Sequence, residues 1–226
     1  MDCERLVPGI LGQPTNALSS LVFVVAAGWI VLLALRGSRE ERAATIVFAM
    51  AVAVNGFGSF VYHGPQPSWG RWAHDVSIVA VLLFIVGHSW GPLRRWRTPP
   101  AIAAYLGVLA LFGLGLALFR DASDPFAGAL AAGAIGGHLM IRPRQPGRRR
   151  QEGWGLDRIA GRVALGAAAL GVVAFLLGQT GSPWCAPDSW FQWHAVWHVL
   201  IAIALACYAS ATLSRGSRST PRSDVA

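Results

Sequence analysis

The chain has 226 residues, of which 54% are hydrophobic and only 13% are charged. A soluble domain carries about 25% charged residues, so this composition excludes an ordinary water-soluble globular protein. The net charge of +8 comes entirely from Arg. Because the Arg residues lie between apolar segments, they predict no nucleic-acid-binding module, and the lack of Lys excludes a Schiff-base retinal protein. The exclusive use of Arg suggests a bacterial, GC-rich source.

Seven apolar segments are long enough to be considered as membrane spans, since a helix needs about 20 apolar residues to cross the hydrocarbon core. They lie roughly at 16–35, 43–62, 74–93, 100–119, 124–141, 159–179 and 190–213. The fifth is short and rich in Gly and Ala, which predicts a helix packed in the interior of the bundle. We therefore predict one all-α, seven-helix transmembrane domain over residues 1–213 and a disordered cytoplasmic tail over residues 214–226.

The Arg residues are distributed very unevenly between the two sides of this predicted bundle. Sixteen of them lie in one set of loops and in the C-terminal tail, whereas Arg5, Arg71 and Arg120 lie on the other side. Positive residues are retained in the cytoplasm. The sequence thus predicts an external N-terminus, a cytoplasmic C-terminus and an odd number of spans, in the inner (plasma) membrane of a bacterium.

Ionisable residues inside spans are costly, and several of them lie near the outer ends of the predicted helices. His63 ends the second helix, Asp75 begins the third, and His194 and His198 lie in the first turns of the seventh. Residues four apart share a helix face, so His194 and His198 can point at one ion. Three His ligands leave a fourth tetrahedral position open, which is typical of a catalytic zinc site. Zinc bound in this way lowers the pKa of its water to about 7.

The roles of the neighbouring polar residues follow from this predicted zinc site. Asp75 is the acidic residue placed to take and return protons. Ser59, four residues before His63, is placed to donate a hydrogen bond to a carbonyl oxygen that gains charge, although it could instead bond back to its own helix. The remaining histidines, His74, His88 and His138, are interpreted as interfacial polar residues.

Two further features lie on the same outer side. Asn16 and Ser19 begin the first predicted helix and either cap it or support the metal ligands. Cys3 and Cys185 both face an oxidising compartment in the predicted topology, which is compatible with a disulfide. Cys207 lies deep in the last helix and is assigned to packing.

At these residues the sequence resembles the alkaline ceramidases. It also resembles the wider superfamily that includes the adiponectin and progestin receptors and the haemolysin-III-like proteins. The shared pattern is Ser59-x-x-x-His63, then Asp75, then His194-x-x-x-His198. Cys3-Glu4, the segment Pro14 to Ser20 and the segment Trp193 to His198 are similar to the ceramidase branch in particular.

The resemblance implies zinc held by His63, His194 and His198, with Asp75 as proton shuttle and Ser59 as oxyanion helper. It implies hydrolysis of ceramide, or of a related N-acyl lipid, to release a fatty acid. It also implies a Cys3–Cys185 disulfide. Eukaryotic members bind calcium near the N-terminus, but this chain has Gln13 at a position where they carry an acid. We therefore do not expect a calcium site.

Two other function classes were weighed against the hydrolase. A receptor-like or signalling seven-helix protein with a structural zinc site would resemble the related receptors, which have the opposite orientation. A transporter would need polar residues on a path across the membrane, whereas here they cluster at one leaflet. The expected partners are a lipid substrate and the bilayer, with no nucleic acid, and the sequence carries no prediction of oligomeric state.

Overall fold

The computed structural model describes residues 2–37, 39–90, 99–119, 123–141 and 154–213, and these residues contain eight α-helices and no strand. The helices are α1 (Pro14–Ser20), α2 (Val22–Arg36), α3 (Arg39–His63), α4 (Gly70–Trp90), α5 (Pro99–Leu118), α6 (Ser123–Ile141), α7 (Trp154–Leu177) and α8 (Trp193–Thr212). The predicted tail at 214–226 and the Arg-rich run from 142 to 150 lie outside the described residues.

Six spans among the described residues are long and apolar enough to cross a membrane. The helices α1 and α2 are separated by Leu21 alone and together form the first of these, Pro14–Arg36. The predicted span at 124–141 corresponds to α6, whose apolar stretch, Pro125–Gly136, is shorter than the others. The prediction of an all-α fold is therefore confirmed for the described residues, and their six to seven long apolar helices are compatible with a polytopic membrane protein.

The first helix begins where its sequence provides both a start signal and a cap. Pro14 occupies the first turn of α1, where its missing N–H costs nothing. The carboxylate of Glu4 accepts hydrogen bonds from the backbone N–H groups of Thr15 and Asn16, at 2.7 and 2.8 Å. A carboxylate at a helix N-terminus is also favoured by the helix dipole. Glu4 thus fixes the N-terminal segment to the start of α1.

The core of the bundle lies between α2, α3, α4 and α8. Phe23, Phe48 and Phe84 are fully buried, and the rings of Phe48 and Phe84 lie 4.7 Å apart. The helices α3 and α4 approach closely at Gly58, where an added Cβ would lie 2.8 Å from the Ser77 hydroxyl. This small residue lets the two backbones come together, as is usual in membranes. The N-terminal half of α4 is thereby held against the end of α3.

The helix α6 does not lie in the interior of the bundle, and the prediction that it is packed there is wrong. Of its side chains from 125 to 136, Ala134 is buried and the others are partly or largely exposed. Phe126 packs edge-on against Phe112 of α5 at a ring distance of 5.7 Å. Small residues reduce the surface that a helix presents, but they do not place it in the core.

The segment before α1 is attached to the loop that follows α7. Asp2 forms an isolated antiparallel bridge with Gln179, and the backbone N–H of Cys3 donates to the carbonyl of Gly178 at 2.9 Å. Cys3 and Cys185 form a disulfide with a Cα–Cα distance of 5.5 Å, as the sequence predicted. The N-terminal segment is therefore fixed next to the start of α8.

Candidate metal centre

Three buried imidazoles meet where α3 ends and α8 begins. His63 and His198 are fully buried, and His194 is nearly so. One ring nitrogen from each lies within 4.8 Å of the others. The ring centroids of His63 and His194 are 4.9 Å apart, and those of His194 and His198 are 4.7 Å apart. The structure thus brings together all three histidines that the sequence predicted as ligands, in a group that could hold one metal ion.

The orientation of His63 is fixed by Gln13, a residue that the sequence analysis did not assign to the site. The side-chain nitrogen of Gln13 donates to the backbone carbonyl of Glu4 at 2.8 Å. The amide oxygen of Gln13 therefore faces His63 and lies 2.7 Å from its Nδ1. Because a carbonyl oxygen only accepts, Nδ1 of His63 must carry the proton. In the neutral ring this leaves the Nε2 lone pair free to bind a metal.

The same reasoning applies to His198. The hydroxyl of Ser19 donates to the carbonyl of Asn16 at 3.0 Å. Its oxygen lies 2.8 Å from Nδ1 of His198, so it accepts the proton that this nitrogen carries. The Nε2 lone pair of His198 is again the one left for a ligand. Ser19 is therefore in direct contact with a candidate metal ligand, which is one of the two roles that the sequence left open for it.

The third imidazole, His194, faces the carboxylate of Asp2. Its Nδ1 lies 2.9 Å from an Asp2 oxygen, and the second Asp2 oxygen lies 3.7 Å from Nδ1 of His63. Nδ1 of His194 has no hydrogen-bond partner among the described residues, so we describe this contact as electrostatic. Burial opposes the charged form of Asp2. Even so, the contact with His194 and the proximity of the His63 and His74 imidazoles lower the pKa of Asp2 to about 2.

An oxygen atom thus lies beside Nδ1 of each of the three rings, and Nε2 of each ring points away from that oxygen. The Nε2 atoms of His63 and His194 are buried and have no hydrogen-bond partner among the described residues. Buried polar atoms without partners are rare in native proteins and are costly. Metal-binding histidines in known sites are usually oriented by a second hydrogen bond of this kind. The residues present therefore fit a metal ion held by three Nε2 atoms, although its identity is not shown.

Ser59 lies at the metal-facing side of this cluster. Its hydroxyl oxygen is 3.2 Å from Nε2 of His198 and 2.9 Å from the hydroxyl of Ser20. The Ser20 hydroxyl itself donates to the carbonyl of Asn16 at 2.8 Å. Ser59 therefore points into the site, and its predicted alternative, a bond back to its own helix, is not the contact observed.

Asp75 lies beside the cluster and is connected to it by His74. One carboxylate oxygen of Asp75 is 3.0 Å from Nδ1 of His74, and the other is 3.7 Å from Nε of Arg71. The His74 ring lies 5.9 Å from the His63 ring, and its Nε2 is buried without a partner among the described residues. The His74 side chain, which is 12% exposed, thus lies beside the cluster, and its interpretation as an interfacial polar residue stays a prediction.

Asn16 lies within α1, so it does not cap this helix. Its carbonyl accepts hydrogen bonds from Ser19 and Ser20, and through Ser19 it supports His198. Its fully buried side-chain amide has no hydrogen-bond partner among the described residues. The helix is capped instead by Glu4, whose two carboxylate oxygens both accept backbone N–H groups.

Of the other predicted residues, His88 lies in the last turn of α4, 3.0 Å from the hydroxyl of Tyr208, and does not belong to the cluster. The side chain of His138 lies outside the described residues. Asp2 and Gln13 are the contributors to the site that sequence reasoning missed. The position of Cys3 was the available signal, because a Cys3–Cys185 bridge brings residue 2 close to the start of α8.

Comparison of the chain with models of known protein families gave no match, and comparison with curated protein sequences gave no significant match. The chemistry of the site therefore has to be argued from its own residues.

Proposed function

We propose that this chain is an integral-membrane, zinc-dependent hydrolase that cleaves the amide bond of ceramide or of a related N-acyl lipid and releases a fatty acid. The observation that supports the proposal is the set of three buried imidazoles whose Nδ1 atoms each lie near an oxygen, with Nε2 of His63 and His194 unpartnered among the described residues and Nε2 of His198 beside the Ser59 hydroxyl. His63, His194 and His198 would hold the ion. A zinc ion with three protein ligands supplies Lewis acidity and makes water acidic near neutral pH.

Ser59 is the residue placed to stabilise charge on the carbonyl oxygen of the substrate. Its hydroxyl lies 3.2 Å from the metal-facing nitrogen of His198, inside a site from which bulk water is excluded. A hydrogen-bond donor positioned in advance at a developing oxyanion is among the strongest contributions an enzyme makes. Because the Ser20 hydroxyl donates to the carbonyl of Asn16, it accepts from Ser59 across their 2.9 Å contact, so the Ser59 proton would have to turn from Ser20 to the substrate oxygen.

Asp75 and His74 form the group that moves protons in this proposal. The contact of Asp75 with Nδ1 of His74 stabilises the tautomer with the proton on Nδ1, which leaves Nε2 of His74 able to accept a proton. Nε2 of His74 is buried and has no hydrogen-bond partner among the described residues, and its ring lies beside that of His63. A proton taken up there can be returned to the amine that leaves when the amide bond breaks.

A lipid substrate is supported by the surroundings of the site. An apolar cleft of about 400 Å³ lies between α4 and α5 and is lined in part by Trp72, Val76, Leu109 and Leu114. Trp72 and Val76 flank His74 and Asp75 on α4. The Arg distribution supports an orientation in which the N-terminus and the metal site face the extracytoplasmic side of a bacterial inner membrane.

The full chain, purified in detergent micelles, can be tested with a panel of N-acyl lipids while fatty-acid release is followed by mass spectrometry. The wild type should contain one zinc per chain, and a chelator should abolish release. His194→Ala should lose zinc and activity. His88→Ala removes a histidine near the other end of the bundle, so it should retain both. Wild-type protein that holds no metal, or a His194→Ala variant with full activity, would exclude the proposal.

A further inference from the structure

Asp2 carries a largely buried carboxylate that lies within 4 Å of two of the three candidate ligands. Its side chain is 10% exposed, with one oxygen 2.9 Å from Nδ1 of His194 and the other 3.7 Å from Nδ1 of His63. It is therefore the carboxylate nearest to the imidazoles in the part of the chain that the structure describes. Asp75, by contrast, is in contact with His74 and Arg71.

Three connections hold Asp2 in this place, and all of them join the N-terminal segment to the loop between α7 and α8. Thr180 donates from its hydroxyl to the backbone carbonyl of Asp2 at 2.9 Å. The next residue, Cys3, donates to the carbonyl of Gly178 and is bonded covalently to Cys185. A segment with no secondary structure of its own is thus fixed at the metal site by its attachment to this loop.

We propose that Asp2 is a positioning residue of the metal centre, which orients His194 toward the ion beside His63 and is held there by the Cys3–Cys185 disulfide. The inference rests on the proposed metal site. A carboxylate paired with a ligand histidine fixes the ring orientation and strengthens its basicity, and losing such a partner commonly costs 10–100-fold in metal affinity. The disulfide would then stabilise the bound metal without touching it.

The direct test measures zinc affinity of the full chain in detergent micelles by competition with a chromophoric chelator. Asp2→Ala should weaken zinc binding by about 10–100-fold, and Asp2→Asn, which keeps one acceptor oxygen, should lie between it and the wild type. Asp188→Asn is the matched control. Asp188 is an exposed aspartate on the same side of the bundle, paired at 2.9 Å with Arg5, so this variant should bind zinc like the wild type.

Two further measurements distinguish a positioning role of Asp2 at the metal from a role in the stability of the fold alone. The visible spectrum of bound Co²⁺ reports ligand geometry, and it should change in Asp2→Asn. The melting temperature of metal-free Asp2→Asn should equal that of the metal-free wild type. An unchanged Co²⁺ spectrum together with unchanged zinc affinity would overturn the inference. Wild-type protein that binds no zinc would instead exclude the metal site itself.

The role of the disulfide is tested by a mutant cycle. The double variant Cys3→Ser/Cys185→Ser should weaken zinc binding in the same direction as Asp2→Ala. Adding Asp2→Ala to it should cause a smaller loss than in the wild-type background, because the two changes act on the same contact. Fully additive losses would show that the disulfide does not act through Asp2.

Discussion

Gln13 provides a sharp test of how the metal centre is held. Its amide joins His63 to the backbone carbonyl of Glu4 through two hydrogen bonds of 2.7 and 2.8 Å, and its side chain is buried. Gln13→Ala removes both bonds. Losing the partner of a ligand histidine should weaken zinc binding by about 10–100-fold. This corresponds to about 1.4–2.8 kcal/mol of binding free energy.

The same variant should also destabilise the metal-free protein. Two buried atoms, Nδ1 of His63 and the carbonyl oxygen of Glu4, lose their partner, at about 1–3 kcal/mol each. The free energy of unfolding should therefore fall by about 2–6 kcal/mol. Gln13→Glu separates the two effects, because a carboxylate still accepts from His63 but cannot donate to Glu4. It should bind zinc more tightly than Gln13→Ala while still losing stability.

Zinc affinity is measured by chelator competition in detergent micelles, and stability by thermal unfolding in excess chelator. Gln66→Ala is the control, since this exposed amide lies at the same end of the bundle and makes one long bond of 3.4 Å to the His63 carbonyl. If Gln13→Ala binds zinc as tightly as the wild type, the orientation of His63 by Gln13 is refuted.

Three further changes test the site. Ser59→Ala should lower the rate of amide cleavage by about 10²–10³-fold with its zinc content unchanged, and loss of zinc would assign Ser59 to metal binding instead. Asp75→Asn should lower the same rate by about 10²–10⁴-fold, and equal turnover would remove Asp75 from proton transfer. Gly178→Ala should weaken zinc binding, because its Cβ would lie 2.8 Å from the backbone nitrogen of His194. Gly166→Ala meets no atom within 4 Å and should bind zinc normally; equal affinity in both variants would contradict this packing argument.

The apolar helices were predictable because long apolar runs are a strong signal in a sequence. The residues at which these helices begin were less predictable. The third predicted helix was started at 74, but α4 begins at Gly70, since its first turn includes Arg71 and lacks an apolar run. The last was started at 190, whereas α8 begins at Trp193. The position of α6 was missed because its composition indicates close packing without saying against what.

The ligand histidines were predictable because two of them share a helix face and the third lies at the same depth on another helix. The roles of Asp2 and Gln13 were not predictable, because these residues lie in a segment whose sequence shows no helix or strand periodicity. Their position depends on contacts with Glu4, with the loop after α7 and with Cys185. Only the tertiary structure decides which side chains of such a segment turn toward the ligands.

The imidazoles and the oxygens that hold them come from opposite ends of the chain, from Asp2 to His198. During synthesis the first ligand, His63, enters the membrane long before α8 has left the ribosome. A nascent chain that stops before α8 has one candidate ligand of the three, so it cannot form this centre. A metal ion held by all three imidazoles would therefore bind only after α8 is in place, so the centre would form late in the folding of the bundle.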